Sequence, residues 1–451
     1  MPIEAKAQPS IWKSLTGMAK RIRYAPLNVF VNERPVGQLN RESSGAIRFQ
    51  YDSQWLAWQH ASPVSISLPL REDQFVGEQV IAVFDNLLPD YGPIRTRVAE
   101  RVGAQGTDAF SLLSEIGRDC VGALQFLAED EEPQSSRDLT GRELNDQAVG
   151  KLLDELDIAP LGIRRENDFR ISVAGAQEKT ALLLRDGQWI EPAGTTPTTH
   201  IIKPQIGRLA NGMDLSDSVE NEHLCLQLLR AFGLRTASTE VLTFNDRKAL
   251  VIERFDRKWV DTEQLIRLPQ EDCCQALSIP STRKYQNEGG PGIKSIFDVL
   301  QGSDEPLKDR HDFFKTQVLF WLMGATDGHA KNFSIALSTQ GRFRMTPLYD
   351  VLTIQPSLDA GHLTHKEFKL AMSFGKSNQY NVELIQRRHL VDTGLACGLS
   401  RELITDVLDN LVGTAEAAFQ NTVKQLPDDF PQGLVDSLMS AFMRRLKRLH
   451  E

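Results

Sequence analysis

The chain has 451 residues, of which 41% are hydrophobic and 25% charged, and it carries a net charge of -9 at neutral pH. These are the proportions of a globular protein with several cores, which excludes a disordered or fibrous chain. No window approaches the roughly 18 consecutive apolar residues of a spanning helix, so a soluble chain without membrane association is expected. The acidic balance also excludes attraction to nucleic acid through the whole-molecule field, so any DNA contact needs a local patch or a basic partner.

Residues 1–25 read as an N-terminal extension. They carry Lys6, Lys13, Lys20, Arg21 and Arg23 but no apolar stretch of signal-peptide length, which argues against export. The five cysteines (Cys120, Cys225, Cys273, Cys274 and Cys397) are odd in number and scattered, which fits a reducing cytoplasm better than a disulfide framework or a zinc site. Residues 26–135 read as a mixed β/α region, with a hairpin at 28–36, a strand at 46–51 and a helix over 79–89 that ends at a proline. The acidic, Pro- and Ser-containing run at 129–137 marks a connection.

Residues 145–255 start with a helix near 145–156 and continue with apolar runs at 169–175, 179–185, 199–204, 237–244 and 248–255. Such runs predict an antiparallel sheet, interrupted by one helix over 218–232 whose apolar face includes Leu224, Leu228 and Leu229. From 256 to 451 the spacing becomes helical, as at 312–326, 402–419 and 433–449. The expected class is therefore α+β, with a β-rich first half and a predominantly helical C-terminal lobe. Strands with a single inserted helix resemble the small lobe of a kinase.

The string DGHAKN, Asp327 to Asn332, follows an apolar helix and precedes a strand-like stretch ending at Asp350. Phosphoryl transfer from ATP needs a carboxylate that orients the attacking hydroxyl, and oxygens from Asp and Asn that hold Mg²⁺. An Asp, an Asn five residues on and an Asp 18 residues beyond that Asn match kinase catalytic and metal loops. Asp327 is accordingly the candidate base, and Asn332 and Asp350 the candidate metal ligands. The same string is also readable as an ordinary turn, because Asp-Gly and Asn are common turn residues.

Upstream, the small-residue loop from Ser172 to Lys179 (SVAGAQEK) would let backbone N–H groups approach phosphates. It matches neither the P-loop nor the glycine-rich kinase loop, and a plain hairpin turn explains it as well. Lys203 ends the run HIIK, where an ammonium would reach phosphates or simply stay solvated, and Glu222 on the following helix is its candidate ion-pair partner. The stretch from Glu253 to Asp256 occupies the position of a kinase hinge, with Phe255 placed to pack on adenine or to serve as a buried strand-end aromatic.

The strings FDNLLPD, LLSEIGRDCVGAL, ENDFRISVAGAQEKTALL, TPTTHIIKP, ERFDR, RLPQEDCCQ, GGPGI and GATDGHAKNFS, in this order, are similar to those of the HipA family. These are the kinase toxins of bacterial HipBA type II toxin–antitoxin modules. The resemblance covers the chain from about Asn28 to its end. It implies a two-lobe fold related to protein and phosphatidylinositol kinases, and ATP- and Mg²⁺-dependent phosphorylation of serine or threonine.

By position it implies nucleotide contacts from Ala174, Gly175, Ala176, Gln177, Glu178, Lys179, Lys203, Glu253, Arg254, Phe255, His329, Ala330, Lys331, Asn332, Tyr349 and Asp350. It implies catalysis by Asp327 and self-phosphorylation at Ser172, which would switch the kinase off. It also implies a helix-turn-helix antitoxin dimer resembling HipB, which holds operator DNA and co-represses with the toxin. Glutamyl-tRNA synthetase is the implied protein substrate, with growth arrest and persistence as the result. Arg387, Arg388 and His389 would graze the DNA backbone or form a solvated helix end. A catalytically weak nucleotide-binding co-repressor is the alternative reading.

Overall fold

The computed structural model describes residues 24–163, 169–175, 177–209 and 212–449. The first 23 residues, Ala176 and the start of ENDFRISVAG lie outside them.

The N-terminal hairpin forms where expected, Leu27–Val31 pairing antiparallel with Arg34–Arg41. Asn32 turns it with φ 54°, a left-handed conformation that asparagine tolerates. Ile47–Tyr51 and Phe75–Val76 extend this sheet on one side and Leu124–Leu127 on the other. The helices Glu78–Asp85, Pro93–Val102 and Ala109–Ile116 cover it over a core that includes Phe49, Phe84 and Leu113.

One expected strand does not join the sheet predicted for it. Residues 169–175 run extended but make only isolated bridges, Ser172 to Cys120 and Gly175 to Pro89. The alternation of Phe169, Ile171 and Val173 is genuine, but these side chains enter the N-terminal core. The segment is thus a strap pinned to the N-terminal region.

The second sheet has six strands in the order Thr239–Phe244, Arg247–Glu253, His200–Pro204, Thr180–Arg185, Gln188–Pro192 and Gly141–Leu144. The last two were not expected. One face packs on the helix Asp146–Asp154 through Ile202, Leu182 and Trp189. On the other side Leu250 and Ile252 meet Val219 of the helix Ser218–Ala231. Because side chains alternate across a strand, Lys203 points away from the Ile202 side and toward this second helix.

The C-terminal half is helical, with Ile293–Leu300, Pro306–Met323, Arg387–Ala396, Arg401–Val423 and Gln432–Leu446 around one large core. Three small antiparallel sheets interrupt it. The Pro306–Met323 helix ends at Gly324, at φ 70°, where an added Cβ would lie 2.7 Å from the Phe368 ring. Gly324 therefore ends the helix abruptly and sends the chain into the Asp327 loop. Arg445, fully buried, donates to the carbonyl of Leu322 at 2.8 Å in the same last turn. Among the described residues no helix is long and apolar enough to cross a membrane. The five cysteines are buried and unpaired.

The N-terminal region is joined to the rest by buried charge. Asp119 accepts from Arg257 at 2.8 Å, Arg267 at 2.9 Å and Arg254 at 3.3 Å, and from Thr198 Oγ1 at 2.7 Å. Asp256 accepts from Arg254 at 2.8 Å and from the Gly122 N–H at 2.6 Å. Burial alone would raise the Asp119 carboxyl, but Arg257, Arg267 and Arg254 hold it below its ordinary range.

Glu271 is the opposite case. It is buried, one oxygen accepts the Ile66 N–H at 2.8 Å, and the other has no partner. Burial pushes its pKa up to about 8. An acid raised in the folded state contributes full stability below its unfolded pKa and loses it as pH rises through the folded value. Glu271→Gln keeps the bond to Ile66 and removes the titration. Its stability should be close to wild type near pH 4.5 and exceed it increasingly as pH rises, by about 4 kcal/mol near pH 8, measured by urea denaturation across pH. A gap that does not change with pH would refute this.

Candidate functional site

The cleft between the six-stranded sheet and the helical half collects most of the candidate residues. Lys203, on a central strand, donates to both oxygens of Glu222 at 2.9 Å and to Asp350 Oδ1 at 2.7 Å. Burial works to lower its pKa, but Asp350 and Glu222 overcome this and keep the ammonium charged. Burial works to raise the Asp350 carboxyl, yet Lys203 and Lys179 hold it well below the carboxylate range. Asp350 sits at φ 58°, a strained left-handed backbone of the kind that clusters at functional sites.

Asn332 links the two aspartates. Its side-chain amide donates to the carbonyl of Asp327 at 3.1 Å and to the carbonyl of Asp350 at 3.2 Å. With the amide nitrogen engaged on the backbone, the side-chain oxygen is the atom left to ligate a cation. The Asp327 side chain is exposed at the cleft. Crowding by protein raises its carboxyl, while a hydrogen bond from Tyr285 pulls it back and Asp350 raises it further.

His329 is buried, its Nδ1 has no hydrogen-bond partner, and burial pushes its pKa down to about 3. A neutral imidazole with an unmet nitrogen in a charged cleft suits a ligand that brings its own polar atoms. Ala330 is buried and its N–H donates to the Lys284 carbonyl at 3.4 Å. Lys331 pairs with Asp90 at 2.8 Å, and Lys284 meets the other oxygen of Asp90 at 2.7 Å. Tyr349 donates to the Lys331 carbonyl at 3.0 Å, and its ring lies 5.8 Å from that of Phe255.

Residues 172–175 and 177–179 lie beside these groups, Lys179 being close to Lys203 and Asp350. The Ser172 hydroxyl donates to the Leu87 carbonyl at 2.7 Å, and the residue is 0% exposed. The Asp90 N–H donates to the Gly175 carbonyl at 3.3 Å. Lys179 Nζ donates to the Ala174 carbonyl at 2.9 Å, and its pKa falls to about 8 through burial and the nearby Lys203 charge. Gly175 sits at φ 113°, a backbone conformation that L side chains rarely adopt, which favours glycine here. Gln177 donates to the Pro204 carbonyl at 3.3 Å, and Glu178 pairs with Arg97.

Two expectations change here. The Arg254 side chain turns into the Asp119 cluster and away from the cleft, because it is needed to balance buried carboxylates. The N–H groups of Glu253 and Arg254 are bonded to the Ser238 and Thr199 carbonyls at 3.0 and 2.8 Å. The Phe255 ring lies next to them, beside that of Tyr349. At the distant end of the helical half, Arg388 is exposed, but His389 is buried as a helix cap and Arg387 is tied to the Leu449 carbonyl, so this is only partly a solvated helix end.

Asp90, Lys284, Tyr285 and Arg97 were not foreseen as site residues. Asp90 ends the string FDNLLPD, and Lys284 and Tyr285 lie a few residues before GGPGI, but nothing local signals that Asp90 meets Lys284 across 194 positions.

A family model for the HipA N-terminal domain matches residues 27–127, and one for the HipA-like C-terminal domain matches residues 171–419, more than half of the chain. The chain belongs to the HipA family. It is 35% identical over 402 residues to the putative kinase Y4mE of Sinorhizobium fredii, covering 87% of this chain and 90% of that one. It is 24% identical over 417 residues to the serine/threonine-protein kinase toxin HipA of Shewanella oneidensis, covering 89% and 90%. The solved complex of Shewanella oneidensis HipA with HipB and its operator DNA superposes with a TM-score of 0.79 at 23% identity, over 94% of this chain and 97% of that chain. The fold is that of HipA, an α+β protein-kinase-like fold.

Proposed function

We propose that the chain is a serine/threonine protein kinase that uses ATP and Mg²⁺ and serves as the toxin of a type II toxin–antitoxin module. The observation that carries this reading is the Lys203 ammonium held between Glu222 and Asp350, with Asn332 tying the Asp350 backbone to that of Asp327. This is the arrangement a kinase needs for phosphate, metal and acceptor at one point. The unmet Nδ1 of His329, with Lys179 and Lys203, suits a polyanionic nucleotide.

When bound, ATP supplies the phosphoryl group and Mg²⁺ screens its charge. Lys203 and Lys179 would hold phosphate oxygens, with Lys331 following once it is released from Asp90. Ala174, Gly175, Gln177 and Glu178 would line the phosphate side, and Ala330 its floor. The Asn332 and Asp350 oxygens would hold the metal. Phe255 and Tyr349, beside Glu253, would flank the base. Asp327 would orient the acceptor hydroxyl and take its proton, a role in which positioning and fixed charge supply most of the rate.

Product analysis tests the reaction type. Incubation with Mg²⁺ and ATP should yield ADP together with phosphoserine or phosphothreonine. AMP would indicate nucleotidyl transfer, and binding without any product would favour the weak co-repressor reading.

Self-modification at Ser172 would act as the off-switch. Its hydroxyl has no space around it, and a phosphate adds about -1.5 to -2 charges. The strap would have to leave the Leu87 carbonyl and take Ala174 and Gly175 with it. Ser172→Asp should mimic this and weaken Mg·ATP binding at least about tenfold in calorimetry, a loss of about 1.4 kcal/mol. Unchanged affinity would refute strap expulsion.

The partners we infer are a HipB-like helix-turn-helix dimer and, mainly through it, operator DNA, with co-repression of the operon and a cytoplasmic location. The inferred protein substrate is glutamyl-tRNA synthetase, whose loss would halt translation and give persistence.

A further inference from the structure

Beside the catalytic loop, the phenol of Tyr285 donates to Asp327 Oδ1 at 2.6 Å. The tyrosine is firmly seated. Its carbonyl accepts the N–H groups of Gly290 at 2.9 Å and Glu288 at 3.1 Å. A Cβ on Gly290 would lie 2.0 Å from the Arg283 carbonyl oxygen, so the backbone closes here only with glycine. Gln286 Oε1 accepts the Ser373 N–H at 2.8 Å, and the Lys284 carbonyl accepts the Ala330 N–H at 3.4 Å. The segment is thus braced on both the catalytic loop and the helical half. The Tyr285 ring stands edge-on to His329, centroids 4.9 Å apart.

An exposed aspartate rotates broadly about its terminal torsion, so a carboxylate meant to orient a hydroxyl needs something to fix its plane. We propose that Tyr285 is a positioning residue for phosphoryl transfer, its hydroxyl fixing the Asp327 carboxylate through Oδ1 and leaving Oδ2 to take the acceptor hydroxyl. This rests on the kinase reading above. The hydroxyl supplies a charge-assisted bond in a preformed frame, and the ring supplies packing on His329. The two contributions are separable, because phenylalanine keeps the second and removes the first.

The test measures the rate of γ-phosphate incorporation into the chain against ATP concentration for wild type, Tyr285→Phe and Tyr285→Ala. The phenylalanine variant should lose about 10- to 50-fold in the saturating rate, as expected for one hydrogen bond to a charged group, with half-saturating ATP within about twofold of wild type. The alanine variant should lose at least as much rate and should also bind ATP less well. A wild-type or higher rate in Tyr285→Phe would overturn the proposal, the higher rate showing a phenol that merely blocks the acceptor position. A rise in half-saturating ATP that accounts for the whole loss would also overturn it, by assigning Tyr285 a purely structural role. If wild type itself transfers no phosphate, the kinase reading fails and the proposal with it. An active wild type with an unaffected phenylalanine variant rejects Tyr285 alone.

Discussion

Asp327→Asn should lower phosphate incorporation by about 10²–10⁴-fold, the range for loss of a general base or hydroxyl-orienting group. The substitution changes one side-chain oxygen into nitrogen and leaves intact the Asp327 carbonyl that Asn332 holds at 3.1 Å. The backbone frame that joins Asp327 to Asp350 therefore survives. Lys203, Glu222 and Asp350 are untouched, so Mg·ATP affinity by calorimetry should stay within a few-fold of wild type. Loss of rate with retained binding separates a catalytic role from a folding defect. A parallel loss of both would assign Asp327 to the nucleotide site instead.

Asp119→Ala should destabilise the protein by about 3–5 kcal/mol. Asp119 faces three guanidiniums, those of Arg254, Arg257 and Arg267, which are 8% exposed or less. Removing it leaves Asp256 alone to balance three buried positive charges. The contacts it anchors join the N-terminal region, the segment entering the six-stranded sheet and the two-stranded hairpin formed by Arg257–Trp259 and Leu265–Arg267. Denaturation in urea should show a lower midpoint, with the N-terminal region opening first by hydrogen exchange. A variant within about 1 kcal/mol of wild type would mean that the cluster is already close to neutral in its net worth.

How far these features were legible depends on the range of the interactions that make them. The strands Thr180–Arg185, His200–Pro204 and Arg247–Glu253 are apolar runs bounded by turn residues, and each could be read locally. Gln188–Pro192 was missed although Asp186-Gly187 before it is a two-residue hairpin signal. Residues 169–175 had the correct period, but period does not say which core receives the side chains. Arg254 looked like part of a nucleotide hinge because its neighbours do. Its burial against Asp119 is a contact across 135 positions, and no local pattern encodes it.

The candidate site divides in the same way. Asp327, Asn332 and Asp350 lie within one short stretch, where spacing alone suggests metal-assisted chemistry, and the structure brings them together through the Asn332 amide. The pairing of Lys203 with Glu222 followed from a kinase analogy and is present at 2.9 Å. By contrast, Asp90 reaches Lys284 and Lys331 from the other end of the chain. Ser172 owes its burial to the Leu87 carbonyl of the N-terminal region. Both arise only once the N-terminal region has docked.

Asp327, Asn332 and Asp350 should act as one phosphoryl-transfer centre. The most direct test is mass spectrometry of wild type and Asp327→Asn after incubation with Mg²⁺ and ATP. Wild type should carry phosphate at Ser172, and the variant should remain unmodified. Equal phosphorylation of both proteins, or a wild type that binds Mg·ATP and remains unmodified, would contradict it.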